Sequence, residues 1–168
     1  METNIHKIRK KRSKPFNKSE WEIILSRNDI NNINKARLKD SLLDGIPKDL
    51  RGRIWLFLTR TTQFSRQFSS TVYTKLLETQ NPSAKKQISR DVHRTLPENK
   101  MFQEPEGIGQ QALTNILNAY ANYDPEVGYC QGMGFIVSCL ILQLRNEEQA
   151  FWTFVQIMHE FNWRLLFM

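Results

Sequence analysis

The chain has 168 residues, of which 40% are hydrophobic and 24% charged, a composition that suits one packed soluble domain. The formal net charge of +7 sits mostly in residues 1–18, where Lys7, Arg9, Lys10, Lys11, Arg12, Lys14 and Lys18 face a single acid, Glu2. The remainder is nearly neutral and carries no nucleic-acid-binding motif, which argues against nucleic acid as a partner. Two cysteines, Cys130 and Cys139, and three histidines without a Cys-x-x-Cys pair argue against a disulfide or a zinc site, and point to a reducing, intracellular compartment.

Residues 1–18 lack apolar periodicity and are expected to form a disordered basic arm. Its charge admits three readings: a solvated tail, which is favoured, contact with anionic lipid through residues 7–18, and a nuclear-import-like run. Residues 19–39 are a helical or irregular lead-in, in which Trp21 is placed to anchor the N-terminal segment. A short helix over 32–43 would set Leu38, Leu42 and Leu43 on one side and stop at Gly45. Pro47 restarts a helix running to about Arg60, with Leu50, Ile54, Trp55, Phe57 and Leu58 apolar.

Residues 60–83 are polar and read as a loop closed by Pro82, with a short helix near Val72–Glu78. Ile88 to Thr95 is a short helix or turn ahead of Pro97. From Gln110, the spacing of Leu113, Ile116, Leu117, Tyr120 and Tyr123 predicts an amphipathic helix ending at Asp124-Pro125. A glycine-rich link, Gly128 to Gly134, leads into an apolar helix over 133–144, too short to span a membrane. A last helix opens on Glu147 and Glu148 and buries Ala150, Phe151, Phe154, Val155, Met158 and Phe161. No strand is predicted, so the fold class is all-α. Trp55, Trp152 and Trp163 are expected in the core.

Two side chains have the chemistry for phosphoryl transfer in a partner. Arg94 follows Asp91 at i+3 on one helical face, and its planar, permanently charged guanidinium suits a transferring phosphoryl group. Gln131 lies among Gly128, Gly132 and Gly134, and its amide both donates and accepts, so it can orient a water. On the residues alone each also has a plain structural reading, as a helix-end arginine and a turn glutamine. His93 reads as a surface histidine, and Cys130 has no base that would make it a nucleophile.

The order of motifs adds to this. Gly45-Ile46-Pro47 with Arg51-Gly52-x-x-Trp55, then Ile88-x-x-Asp91-x-x-Arg94-Thr95 with Pro97 and Phe102, then Asp124-x-x-x-Gly128-Tyr129-Cys130-Gln131-Gly132-Met133, resembles the successive motifs of TBC domains, the Rab GTPase-activating family. Glu147-Glu148-x-Ala150-Phe151-Trp152 is similar to the segment that follows them. The resemblance covers residues 40–168, the N-terminal portion of such a domain. It implies an all-helical fold that acts on a Rab-family small GTPase in its GTP-bound form.

By that resemblance Arg94 would stabilise transition-state charge and Gln131 would orient the attacking water. Asp91, Tyr129, Gly132, Arg51, Gly52 and Trp55 would support them. GTP and Mg²⁺ would be bound by the partner GTPase, so the chain would need no cofactor of its own. The resemblance also implies a cytoplasmic place, peripheral on endomembranes. The apolar run Trp163 to Met168 holds no stop signal, so the domain is expected to continue past it. The alternative function is a TBC-like scaffold that binds a GTPase without accelerating hydrolysis.

Overall fold

The computed structural model describes residues 12–168, all helices, turns and loops, with no strand among them. The chain divides into two compact units, Met1–Leu50 and Arg51–Met168. The first holds α1 (Lys18–Arg27), α2 (Lys35–Asp44) and a 3-10 turn, Lys48–Leu50. Asn17 and Glu20 form a reciprocal cap on α1: the Glu20 N–H donates to Asn17 Oδ1 and the Asn17 N–H to Glu20 Oε2, both at 2.9 Å. Asn34 caps α2 at the Arg37 N–H, and Gly45, at φ 107°, ends it.

The expected disordered arm lies outside the described residues up to position 11, and the rest of it differs from that expectation. The Ser13 N–H donates to Asp40 Oδ2 and the Phe16 N–H to Ser41 Oγ. Arg37 donates to the carbonyls of Lys14 and Pro15 and to both oxygens of Glu20, and its guanidinium lies 4.3 Å over the Phe16 ring. Lys18 pairs with Asp49 at 2.6 Å. Phe16 meets Trp21 edge-on, and Trp21 is fully buried. These side-chain bonds span 17 residues or more, so no local pattern announces them. The apolar side of α2 is not its buried one: Leu42 and Leu43 are exposed, and Ser41 is buried beneath the Phe16 amide.

The second unit contains α3 (Arg51–Leu58), α4 (Thr61–Ser65), α5 (Val72–Glu78), α6 (Pro82–Val92), α7 (Lys100–Gln103), α8 (Ile108–Tyr123), α9 (Met133–Leu144) and α10 (Glu147–Glu160), then a 3-10 helix, Trp163–Leu166. α8 is the central element and packs against α5, α6, α7, α9 and α10. Its Leu113, Ile116, Leu117 and Tyr120 are buried to within 1%. α10 buries every side chain from Ala150 to Met158, at about 1.5–3 kcal/mol for each large apolar one. Its polar members are matched to partners: Thr153 Oγ1 lies 2.9 Å from Thr61 Oγ1, and Gln156 donates to the Thr59 carbonyl.

Several sequence expectations shift here. Pro82 opens a helix instead of closing a loop: Asn81 caps α6 at the Ala84 N–H, and Pro82 fills a first-turn position that needs no N–H. Ala84, Ile88 and Val92 then form its buried stripe. Phe161 and Trp163 are not core, at 50% and 39% exposure. Asn162, at φ 57°, turns the chain off the α10 axis ahead of Trp163. Other bends also fall on non-glycine residues in the left-handed region: Arg60, Leu96, Glu106 and Arg145 have φ between 50° and 59°.

Candidate functional site

Ile88 and Val92 bury one side of α6, which leaves Asp91 at the rim and turns Arg94 outward at the end of the helix. Arg94 is 57% exposed and Asp91 16%. Asp91 Oδ1 accepts from Arg94 Nε at 2.9 Å and Nη2 at 2.6 Å. Asp91 Oδ2 accepts from the Tyr129 hydroxyl at 2.6 Å. One carboxylate thereby joins the segment of Arg94 to the loop of Gln131, across 38 residues of sequence. Partial burial pushes the Asp91 pKa up, but the hydrogen bonds from Tyr129 and Arg94 outweigh it and hold the carboxyl below its ordinary range. Burial and the Asp91 charge push the Tyr129 phenol up, so it stays a proton donor.

The loop of Gln131 is bent at Gly128 (φ 64°) and Gly132 (φ 103°), where a side chain would be strained. Tyr129 is buried and Gln131 exposed. Gly132 starts α9 without a side-chain cap. A Cβ at Gly134 would sit 3.0 Å from Thr95 Oγ1, so glycine there lets the first turn of α9 lie against the turn that carries Arg94. Thr95 in turn donates its hydroxyl to the Asp91 carbonyl. An open depression of about 360 Å³ beside this corner is lined by Arg94, Leu96, Pro97, Glu98, Asn99 and Phe135.

Arg51, Gly52 and Trp55 do not join this cluster. They lie on α3, where a Cβ at Gly52 would come within 2.9 Å of the Gln143 carbonyl. Gly52 therefore lets α3 approach the far end of α9, about 16 Å along that helix from Gly132 at ~1.5 Å per residue. Trp55 is half-buried against the core.

The base of the loop holds residues that sequence reasoning passed over. Asp124 is only 6% exposed and accepts from Arg164 Nε at 2.7 Å, Arg164 Nη2 at 3.0 Å and the Tyr120 hydroxyl at 3.1 Å. Arg164 also reaches Glu126 at 2.7 Å. Burial pushes the Asp124 pKa up, and Arg164 and Tyr120 more than reverse it, leaving it below the ordinary value. His159 Nε2 lies 3.7 Å from the same carboxylate. Asp124 had a weak signal in its motif; Arg164 had none. Among the described residues no group of side chains could hold a metal ion, and no helix is long and apolar enough to cross a membrane.

Because both carboxyls are depressed in the fold, each contributes stability above the ordinary carboxylate range, near pH 4, and loses it as pH falls through the folded-state value. We therefore expect Asp124→Asn to cost about 2 kcal/mol at pH 7, with the deficit shrinking markedly by pH 3. Urea midpoints of both proteins at the two pH values check this; an equal deficit at both would show that Asp124 acts through shape instead of charge.

The description of the family model that matches residues 48–168 is the Rab-GTPase-TBC domain. The chain is 37% identical over 148 residues to a Caenorhabditis elegans protein named Rab GTPase-activating protein tbc-11, covering 88% of this chain and 16% of that one. It is 36% identical to the human ecotropic viral integration site 5 protein homolog, over 89% of this chain and 17% of the other. A crystal structure of the Chlamydomonas flagellar RabGAP TBC domain superposes with a TM-score of 0.72 at 26% identity, over 83% of this chain and 48% of that one. The chain thus spans less than half the length of each of these proteins. The matched model, the relatives and the shared all-helical fold agree: the chain belongs to the Rab-GTPase-TBC domain family.

Proposed function

We propose that this chain supplies the catalytic corner of a GTPase-activating domain acting on a Rab-family small GTPase in its GTP-bound form. The observation that carries the reading is the shared Asp91 carboxylate, which ties an exposed arginine and an exposed glutamine to one corner. Asp91 grips Arg94 through Nε and Nη2, leaving N–H donors on the other edge of the guanidinium for phosphate oxygens. There its charge offsets the negative charge that develops on the transferring phosphoryl group. The Gln131 amide donates to and accepts from the attacking water. GTP and Mg²⁺ are held by the partner, and this chain contributes no cofactor. Such an arginine supplied in trans raises turnover by ~10³–10⁵. The likeness to proteins named Rab GTPase-activating protein and RabGAP supports the choice of partner.

The test is single-turnover GTP hydrolysis by a panel of Rab proteins with this chain added, beside Arg94→Ala and Gln131→Ala. Acceleration lost in both variants is the expected result. A folded chain that binds a GTP-loaded Rab without accelerating it would replace this reading with that of a scaffold.

A further inference from the structure

We infer that Arg164, anchored on Asp124, is a positioning residue for Gln131: the segment from Trp163 to Phe167 clamps both flanks of the loop that presents the glutamine. The inference rests on the reading of Gln131 as the water-orienting group. Gln131 makes no side-chain hydrogen bond among the described residues, and its loop has two glycines at positive φ and no side-chain cap on the helix it enters. Within the loop Tyr129 is anchored on Asp91, and the glycines on either side of Gln131 leave the placement of its amide dependent on what holds both flanks.

Upstream, Arg164 lays its fork across Asp124 and reaches Glu126, two residues along the loop. The Asp124 carbonyl accepts from the Gly128 N–H at 2.8 Å, closing the turn that leads to Tyr129. Tyr120 roots the same carboxylate in α8. Downstream, the Cys130 thiol donates to the Phe167 carbonyl at 3.3 Å. The Phe167 ring lies 4.0 Å from where a Cβ on Gly132 would be. Positions 124, 126 and 130 are thus all bonded by one short segment, whose Phe167 ring stands beside Gly132, while Gln131 stays exposed. Arg164 makes its ion pairs with Asp124 and Glu126 and not with Asp91, so its effect passes through the glutamine side of the corner. A bidentate guanidinium fixes orientation as well as distance, which a lysine ammonium does not.

Two measurements test this. Hydrogen exchange on the chain alone needs no GTPase: Arg164→Ala is expected to speed exchange of amides 128–133 about tenfold, with the α8 amides 112–120 unchanged as an internal control for folding. In Rab GTP hydrolysis, Arg164→Ala is expected to lower kcat on the order of tenfold, with KM kept within about twofold and part of the loss recovered by Arg164→Lys. The loss should vanish in a Gln131→Ala background and persist in full in an Arg94→Ala background. Unchanged exchange at 128–133, or losses that multiply with Gln131→Ala, would overturn the clamp. Full activity of Gln131→Ala itself would overturn the glutamine reading, and the assigned role of Arg164 with it, a separate observation from either of those.

Discussion

Arg94→Ala is expected to lower the chain's acceleration of Rab GTP hydrolysis by about 10³-fold or more, while leaving its affinity for the GTP-loaded Rab within a few-fold. The asymmetry follows from where the arginine sits. It is 57% exposed and its partner in the free chain is Asp91, so the resting fold gains little from it; an exposed pair of this kind is worth about 0.2–1 kcal/mol. On the proposed function, its value lies in a charge that forms only during the reaction. Arg94→Lys should recover little of the rate, since one ammonium cannot hold Asp91 and a phosphoryl oxygen with the same geometry. Single-turnover rates and binding measured on the same samples decide the matter. A loss below tenfold, or a rate loss matched by lost binding, would remove Arg94 from the chemistry.

Gly109→Ala is expected to be the most damaging methyl group that the fold can be given. A Cβ there would stand 2.1 Å from the Met101 carbonyl oxygen and 2.9 Å from its carbon. These are backbone atoms of α7, which cannot swing aside as a side-chain tip can. α8 would have to move off α7, and α8 is the element most of the second unit packs on. Alanine's better helix propensity returns about 1 kcal/mol, against a cost of ~3 kcal/mol or more for forced overpacking. The net loss of about 2–3 kcal/mol corresponds to roughly 10 °C in Tm for a domain of this size. Thermal unfolding followed by far-UV circular dichroism gives the answer, and a Tm within about 2 °C of the parent would show that α7 yields easily.

The parts of the fold that were legible in the sequence are those whose pattern is local. α5 begins and ends where its short helix was predicted, and α8, α9 and α10 follow their apolar periods closely. α6 was half seen, because its opening turn, Asn81-Pro82, reads equally as the end of a loop and the start of a helix. The polar stretch that hides α4 has almost no apolar period, and α4 is held by Thr61, buried against Thr153 of α10, and by Phe64, whose ring meets Trp152 edge-on. Arg94 and Gln131 stood out by residue type and by the order of motifs. Asp91 and Tyr129 were named as their supports, but the bond that joins those two was not legible: they are separated by 38 residues, and Arg164 and Asp124 by 40. A hydrogen bond over such a distance leaves no periodicity in the chain; only the finished packing of α6, α8 and α10 creates it.

The bends between helices have an implication for how this fold could be improved. Arg60, Leu96, Glu106 and Arg145 hold positive φ with side chains that disfavour it, at about 1–2 kcal/mol apiece. A glycine at Glu106 or Arg145 would relieve that strain, offset in part by the greater freedom of the unfolded chain. Neither residue lies on the corner formed by Asp91, Arg94 and Tyr129. The margin for a hardier domain therefore lies in its corners and not in its core, and it can be drawn on without repacking a single buried side chain.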